Sequence, residues 1–358
     1  METKEKVLIT GGAGFIGCAI SDLLVNAGHS VVAFDNLHPQ IHERQERPLA
    51  LNSGVELIVG DVTDAEAWDR LLASFRPTLV YHLAAETGTG QSLLEATRHG
   101  SVNVVGTTQM TDAFARHSLV PKSIVLASSR AVYGEGAWRD DAGSVIYPGI
   151  RTHAMLSNGQ WEPAHEEGGH YAALPHAAAR VKASPTSIYG ATKLAQEHIL
   201  MAWCSAMGVD LKILRLQNVY GVGQSPINPY TGIITLFHRM ARKGQAIPVY
   251  EDGEIVRDFV YISDVARALI RVAATEGSGE TIDVGTGRPV TIMEAAKTIA
   301  ALHGAPAPFI TGQFRDGDVR SAVADTSELS KCVDVGSFVS FDQGAKLVGE
   351  WLVEKGYA

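Results

Sequence analysis

The chain reads as an α/β protein, a doubly wound and mostly parallel sheet followed by a smaller C-terminal lobe. Three observations carry that expectation. Short β-rich runs alternate with helical patterns over the first two thirds of the sequence. Those runs are apolar almost without interruption, as strands covered on both faces must be. A glycine-rich turn joins the first run to the first helix, the arrangement of a dinucleotide-binding βαβ unit.

Taken in order, strands are expected at residues 7–10, 31–34, 57–59, 79–83, 124–127 and 211–216. Between the first two, Phe15, Ile16, Ala19, Ile20, Leu23, Leu24 and Ala27 recur at helical spacing, and Gly28 stands where that helix should stop. Residues 135–186 carry Gly, Pro, His and Ala with little sustained period, and read as an insertion on the rim of the sheet. From about Asn218 onward Pro and Gly recur, which predicts shorter helices and a second lobe. The division expected is therefore 1–217 for the dinucleotide-binding domain and 218–358 mainly for a substrate lobe, with some segments returning to the first domain.

Composition narrows the function. At 358 residues and 46% hydrophobic, the chain can bury a substantial core. A formal charge of −9 argues against a general nucleic-acid or membrane-surface role, so any anionic ligand must be met by local arginines or backbone amides. Cys18, Cys204 and Cys332 lie far apart without metal-ligand spacing and suggest reduced thiols. No leader precedes the first apolar segment, and no apolar run approaches the roughly 20 residues of a membrane span. The reading is a soluble, cytoplasmic protein.

The turn Thr10-Gly11-Gly12-Ala13-Gly14-Phe15-Ile16-Gly17 places its glycines for a tight bend, close approach to a pyrophosphate and helix-to-sheet packing, which makes the domain Rossmann-type. Asp35 ends the second strand, 18 residues beyond Gly17, where a carboxylate can accept hydrogen bonds from ribose hydroxyls and repel a 2′-phosphate. NAD is therefore favoured over NADP. Tyr189 and Lys193 are four residues apart, on one face if the segment is helical. A nearby ammonium and an oxidised nicotinamide both favour the phenolate, so Tyr189 can act as a base near neutral pH. The run Ser128-Ser129-Arg130-Ala131-Val132-Tyr133-Gly134 follows the strand at 124–127, at the carboxyl edge where open α/β sheets bind ligands.

With these motifs on the page, the chain resembles the extended branch of the short-chain dehydrogenase/reductase superfamily, the NAD-dependent sugar-nucleotide epimerases and dehydratases. The likeness runs from Val7 to about Ala324. It implies Ser129 as the catalytic hydroxyl beside Tyr189 and Lys193. It also implies cofactor contacts from Gly11, Gly14, Phe15, Ile16, Gly17, Asp35, Asn36, Asp61, Val62, Leu83, Ala84, Ala85 and Asn103, together with Tyr189 and Lys193. For the nucleotide sugar it implies Thr87, Ser129 and Asn218, Pro248 and Tyr250 beside the base, Arg257 and Arg315 on the diphosphate and Asp318 on the ribose. A homodimer is implied as well.

One departure is informative. Where the resembling 4,6-dehydratases carry an Asp-Glu pair after the catalytic hydroxyl, this chain has Arg130 and Ala131. Neither serves as the acid and base of a dehydration, so epimerisation is preferred, at C4 through a transient 4-keto sugar. A net dehydrogenase or reductase is the alternative. A cofactor-binding regulator without chemistry is a third reading, opposed by the intact Ser129, Tyr189 and Lys193.

A narrower likeness, to the dTDP-L-rhamnose 4-epimerase and UDP-glucose 4-epimerase group, rests on Gly88-Thr89-Gly90-Gln91-Ser92 and Asn228-Pro229-Tyr230-Thr231-Gly232. The insertion holds His153, His165, His170 and His176. Without cysteine or tight His spacing these do not read as a metal site, and a lid over the sugar is the better expectation.

Overall fold

The computed structural model describes residues 4–163, 169, 171–226, 228, 232–277 and 279–357. Its central sheet has seven strands, β1 (Lys6–Thr10), β2 (Ser30–Asp35), β3 (Glu56–Val59), β4 (Leu79–His82), β5 (Ser123–Ser129), β6 (Asp210–Leu216) and β7 (Glu280–Val284). The order is β7-β6-β5-β4-β1-β2-β3, and every pairing is parallel. Six strands fall where the apolar runs put them. The seventh was not expected: Glu280-Thr281-Ile282-Asp283-Val284 alternates polar and apolar residues instead of running apolar, and its buried Asp283 has a structural partner that sequence does not reveal.

Strand side chains alternate between two cores, as the pleat requires. Val7 and Ile9 of β1 join Ile20 and Leu24 of α1 (Phe15–Asn26) and Val265, Leu269 and Val272 of α6 (Ile262–Ala273). Leu8 points the other way, into a cluster with Trp68 and Leu71 of α2 (Ala65–Ser74), Phe114 of α3 (Gly106–Arg116) and Leu200 of α4 (Ile188–Met207). Helices therefore cover both faces, and the chain reverses direction across the sheet between β1 and β4. The crevice at the carboxyl ends of those two strands is the ligand position that the topology provides.

A third core lies beyond the sheet, between α5 (Ile233–Arg242), α7 (Ile292–His303) and α8 (Phe341–Glu354), and is filled by Phe237, Ile247, Phe259, Ile299, Val348 and Leu352. Apart from the 20-residue α4, the helices here are no shorter than those before: α5, α7 and α8 have 10, 12 and 14 residues, against 12, 10 and 11 in α1, α2 and α3. The Pro and Gly residues that suggested otherwise sit in the connections, while α7 opens on a Thr291–Glu294 capping box. Residues 135–186 contain a small antiparallel sheet of two-residue strands (Trp138–Arg139, Val145–Ile146, Ala172–Ala173) and a five-residue helix (His153–Ser157). Strands that short complete no period, which is why the segment read as irregular. Among the described residues no helix is long and apolar enough to cross a membrane.

A buried polar network locks the far side of the sheet. Glu197 of α4 receives the Ser128 hydroxyl and the Arg215 guanidinium, at 2.9 Å from Nε and 2.6 Å from Nη2. Arg215 lies 4.7 Å above the Tyr133 ring, whose hydroxyl donates to both Asp283 oxygens at 2.8 Å. Burial pushes the Asp283 carboxyl up from 3.8 to about 7. A folded-state pKa raised above the unfolded one favours the protonated form, so this contribution to stability is complete below about pH 4 and is lost as the pH rises through 7. We expect calorimetric Tm to fall across that window and Asp283→Asn to flatten the fall; an unchanged slope in the variant would assign it to other groups.

Candidate active site

β1 ends at Thr10 and α1 starts at Phe15, with Gly14 as its N-cap. Gly14 brings no capping side chain and the first turn has no acidic residue, so the helix amides stay open to an anion. Gly11 sits at φ +67°, and a Cβ there would stand 2.8 Å from the Ala84 amide nitrogen. Leu83, Ala84 and Ala85 thus close directly against the glycine loop. A Cβ on Gly17 would come within 2.6 Å of the Gly12 carbonyl oxygen, so α1 is held close under the loop only because that atom is missing.

Asp35, at the end of β2, receives the amides of Ala13 at 3.0 Å and Leu37 at 2.8 Å, which fixes its carboxylate beside the loop. Asn36 donates to Asp61 at 2.8 Å. Burial opposes ionisation of Asp61, but hydrogen bonds from Thr63 and Asn36 outweigh it and hold the carboxyl below the usual range. Val62 is buried, and its carbonyl takes the Trp68 indole at 2.8 Å. Phe15 and Ile16 are half-buried against the third core. A glycine cradle that any Cβ would fill, open helix amides and a carboxylate at the next strand end are the donor and acceptor set that a dinucleotide needs, and the residues present fit NAD.

The catalytic candidates stand on α4, which Ser187 caps by accepting the Gly190 amide at 3.1 Å. Gly190 lets the helix start rest on the turn after β5; a Cβ there would lie 2.4 Å from the Ala131 carbonyl oxygen. That contact brings the Tyr189 phenol close to Ser129, whose hydroxyl favours its ionised form. The Ser129 hydroxyl also accepts the Ala131 amide at 3.1 Å. Burial pushes the phenol above its ordinary value, while Ser129 and the charge of Arg130 pull it down. One turn along, Lys193 is 2% exposed and burial lowers its ammonium to about 7.

Lys193 ends a buried chain of polar groups. Its Nζ donates to Gln196 Oε1 at 2.5 Å, and Gln196 Nε2 donates to the Thr107 hydroxyl at 2.9 Å. His82 joins Thr107 through Nε2 at 3.0 Å and Thr10 through Nδ1 at 2.8 Å. Burial lowers His82 to about 3, so the ring is a neutral bridge. Asn103 is fully buried: its side chain binds both backbone groups of Glu86 and donates to Thr192 at 2.9 Å, pinning the loop after β4 to α4. It bears on the cofactor side through that loop.

On the opposite wall, Arg257 is 3% exposed and donates to Asp318 at 2.5 Å, so two motifs distant in sequence meet. Burial disfavours the Asp318 carboxylate, yet Arg257 and Arg130 hold its pKa below the usual range. Arg315 lies 5.3 Å above the Tyr250 ring, next to the short strand Pro248–Val249. Asn218 begins the strand Asn218–Tyr220 and accepts from Arg130 Nε at 2.8 Å. Thr87 is half-buried in the loop after β4. Gln40 bridges two distant motifs, donating to Gln91 at 3.0 Å and to Asn228 at 3.2 Å; residues 229–231 lie outside the described residues.

The insertion is fastened to this wall. Arg151 donates to Glu135 and Glu251 at 2.8 Å each and to the Asp318 carbonyl at 3.0 Å. Of its histidines, His153 pairs with Asp316 at 3.0 Å and His176 stacks 4.4 Å from Tyr133, while His165 and His170 lie outside the described residues. Among the described residues no group of three or more His, Cys, Asp or Glu side chains is placed to hold a metal ion.

Sequence reasoning missed Gln196, Glu197 and His82. The first two stand three and four residues beyond Lys193, a helical spacing that places them on its face and was available to read. His82 gave no signal, because a histidine at the end of an apolar strand is ordinary.

A protein of this fold and site belongs to the NAD dependent epimerase/dehydratase family, whose model matches residues 7–148 and 168–285. The gap between the two matched segments falls inside the insertion. Among relatives, the chain is 51% identical to the dTDP-L-rhamnose 4-epimerase of Burkholderia thailandensis, over 98% of this chain and 96% of that one. It is 29% identical to the UDP-glucose 4-epimerase of Mycolicibacterium smegmatis, over 98% and 99%. The structure of the Thermus thermophilus UDP-glucose 4-epimerase in complex with NAD superposes with a TM-score of 0.77 at 27% identity, covering 99% and 100% of the two chains.

Gly17→Ala tests the cradle. The variant should fold, as circular dichroism can verify, yet carry markedly less NAD after purification than the parent; full NAD occupancy would contradict the close packing described for the loop.

Proposed function

We propose that the chain inverts C4 of a dTDP-activated 6-deoxyhexose, interconverting dTDP-L-rhamnose and its 6-deoxy-L-talose counterpart with no net oxidation or reduction. The observation that carries this reading is the Tyr189 phenol set beside Ser129, where the start of its helix rests on the turn after β5, with Lys193 one turn away on the same helix. Bound NAD supplies the hydride acceptor and then the donor at C4, so the sugar passes through a 4-ketose. Ser129 orients O4, and Tyr189 takes its proton on the way to the ketone and returns it on the way back. The charge of Arg130 favours the phenolate against burial, and Lys193 stands one turn away on the same helix.

Arg130 and Ala131 follow Ser129 and offer no carboxyl pair for eliminating water, which supports epimerisation over dehydration. The dTDP-L-rhamnose 4-epimerase at 51% identity supports the choice of nucleotide and sugar. We also infer a cytoplasmic homodimer. Leu93, Leu94 and Val105, at 48%, 85% and 45% exposure on the segments before α3, support an apolar contact there.

Incubation with dTDP-L-rhamnose, UDP-glucose and GDP-mannose, without added NAD, should give a C4 epimer from the first, identified by NMR. Tyr189→Phe should lower kcat by about 10²- to 10⁴-fold while leaving NAD bound. A variant with parental turnover would remove Tyr189 from the chemistry.

A further inference from the structure

Among the described residues Arg130 forms no ion pair, although it stands beside the catalytic candidates. It directly follows Ser129 at the carboxyl end of β5, and its side chain turns toward the opposite wall, where Nε donates to Asn218 at 2.8 Å. Arg257 has Asp318 at 2.5 Å, Arg151 has Glu135 and Glu251, and Arg320 has Asp252, Glu162 and Glu251. Among the described residues, no acceptor is hydrogen-bonded to the two terminal nitrogens of Arg130 and no carboxylate lies within ion-pair reach of them. A partly buried guanidinium left in that state calls for an anion.

The position says which anion. Arg130 lies within electrostatic reach of Tyr189 on one side and of Arg257 and Asp318 on the other. A pyranose whose O4 rests at Ser129 and Tyr189 has its anomeric carbon at the far side of the ring, toward Asn218 and Arg257. The first anionic group beyond that carbon is the β-phosphate of the nucleotide. With Nε engaged by Asn218, the guanidinium keeps its outer edge, and that fork fits two phosphate oxygens.

We propose that Arg130 is the residue that binds the sugar-bearing β-phosphate of the substrate and fixes the pivot about which the pyranose turns between the two hydride transfers. The assignment rests on the sugar-nucleotide function proposed above. Burial and the neighbouring Arg257 lower the guanidinium to about 9, so it stays cationic at neutral pH, and a bound phosphate would add the charge that it lacks.

Isothermal titration of the NAD-bound protein with dTDP and with dTMP separates the two phosphates. In the parent, dTDP should bind more tightly than dTMP. Arg130→Ala should weaken dTDP by about 10- to 100-fold and leave dTMP unchanged, because the lost contact is a charge-assisted hydrogen bond to the outer phosphate alone. Arg130→Gln, which keeps a donor for Asn218, should weaken dTDP likewise, and gives the same reading if the alanine variant does not fold. Equal dTDP affinity in parent and variant, or parallel loss for dTDP and dTMP, overturns the assignment. A parent that binds neither dTDP nor UDP overturns the sugar-nucleotide function and the Arg130 assignment with it.

Discussion

The distance between the cofactor loop and the catalytic helix is set by one buried chain of hydrogen bonds, Thr10 to His82 to Thr107 to Gln196 to Lys193. Thr10 is the residue before the glycine turn, and Lys193 is the cation one turn beyond Tyr189. His82, Thr107 and Gln196 are each no more than 1% exposed, so each must keep its partners or carry the cost of an unsatisfied polar group in the core. Movement of α4 along the sheet would break several of these bonds together. A hydride transfer needs donor and acceptor carbons held close and aligned, and this chain holds the two halves of the site in one register.

The two walls of the site differ in what they offer. The sheet edge presents hydroxyls, a buried phenol and open amides, and it is tied down by Glu197, Arg215 and Ser128 behind it. The facing lobe presents guanidinium groups, held in place by carboxylates that also fasten the insertion. A net charge of −9 over the whole chain leaves an anionic substrate to be met locally, by the arginines of this wall and the open amides of α1. The insertion contributes through Arg151, which holds the Asp318 backbone and so buttresses the wall that carries the Arg257–Asp318 pair.

Much of this was legible in the sequence, for physical reasons. Continuous apolar runs gave six of seven strands, because burial on both faces leaves little choice of residue. Gly11 and Gly17 were legible because the backbone contacts they permit exclude a Cβ. β7 was not, since Asp283 is tolerated there through Tyr133 and the Ala178 amide, 150 and 105 positions away. Pairs formed across such separations leave no periodic trace: Arg257 with Asp318, Gln40 with Asn228 and Arg130 with Asn218 each join residues that reading along the chain treats separately. Arg130 was noticed as an absence of acid and base, while its presence as a cation emerged only from its surroundings.

The most direct test of the account follows the hydrogen at C4. With dTDP-L-rhamnose deuterated at C4 and no added nucleotide, the account predicts a C4-inverted product that keeps its deuterium at C4, read by NMR, because the same hydride leaves and returns within one closed site. Loss of deuterium to water would contradict it, since the proton at C4 would then have been exchanged by a base without any ketone at that carbon.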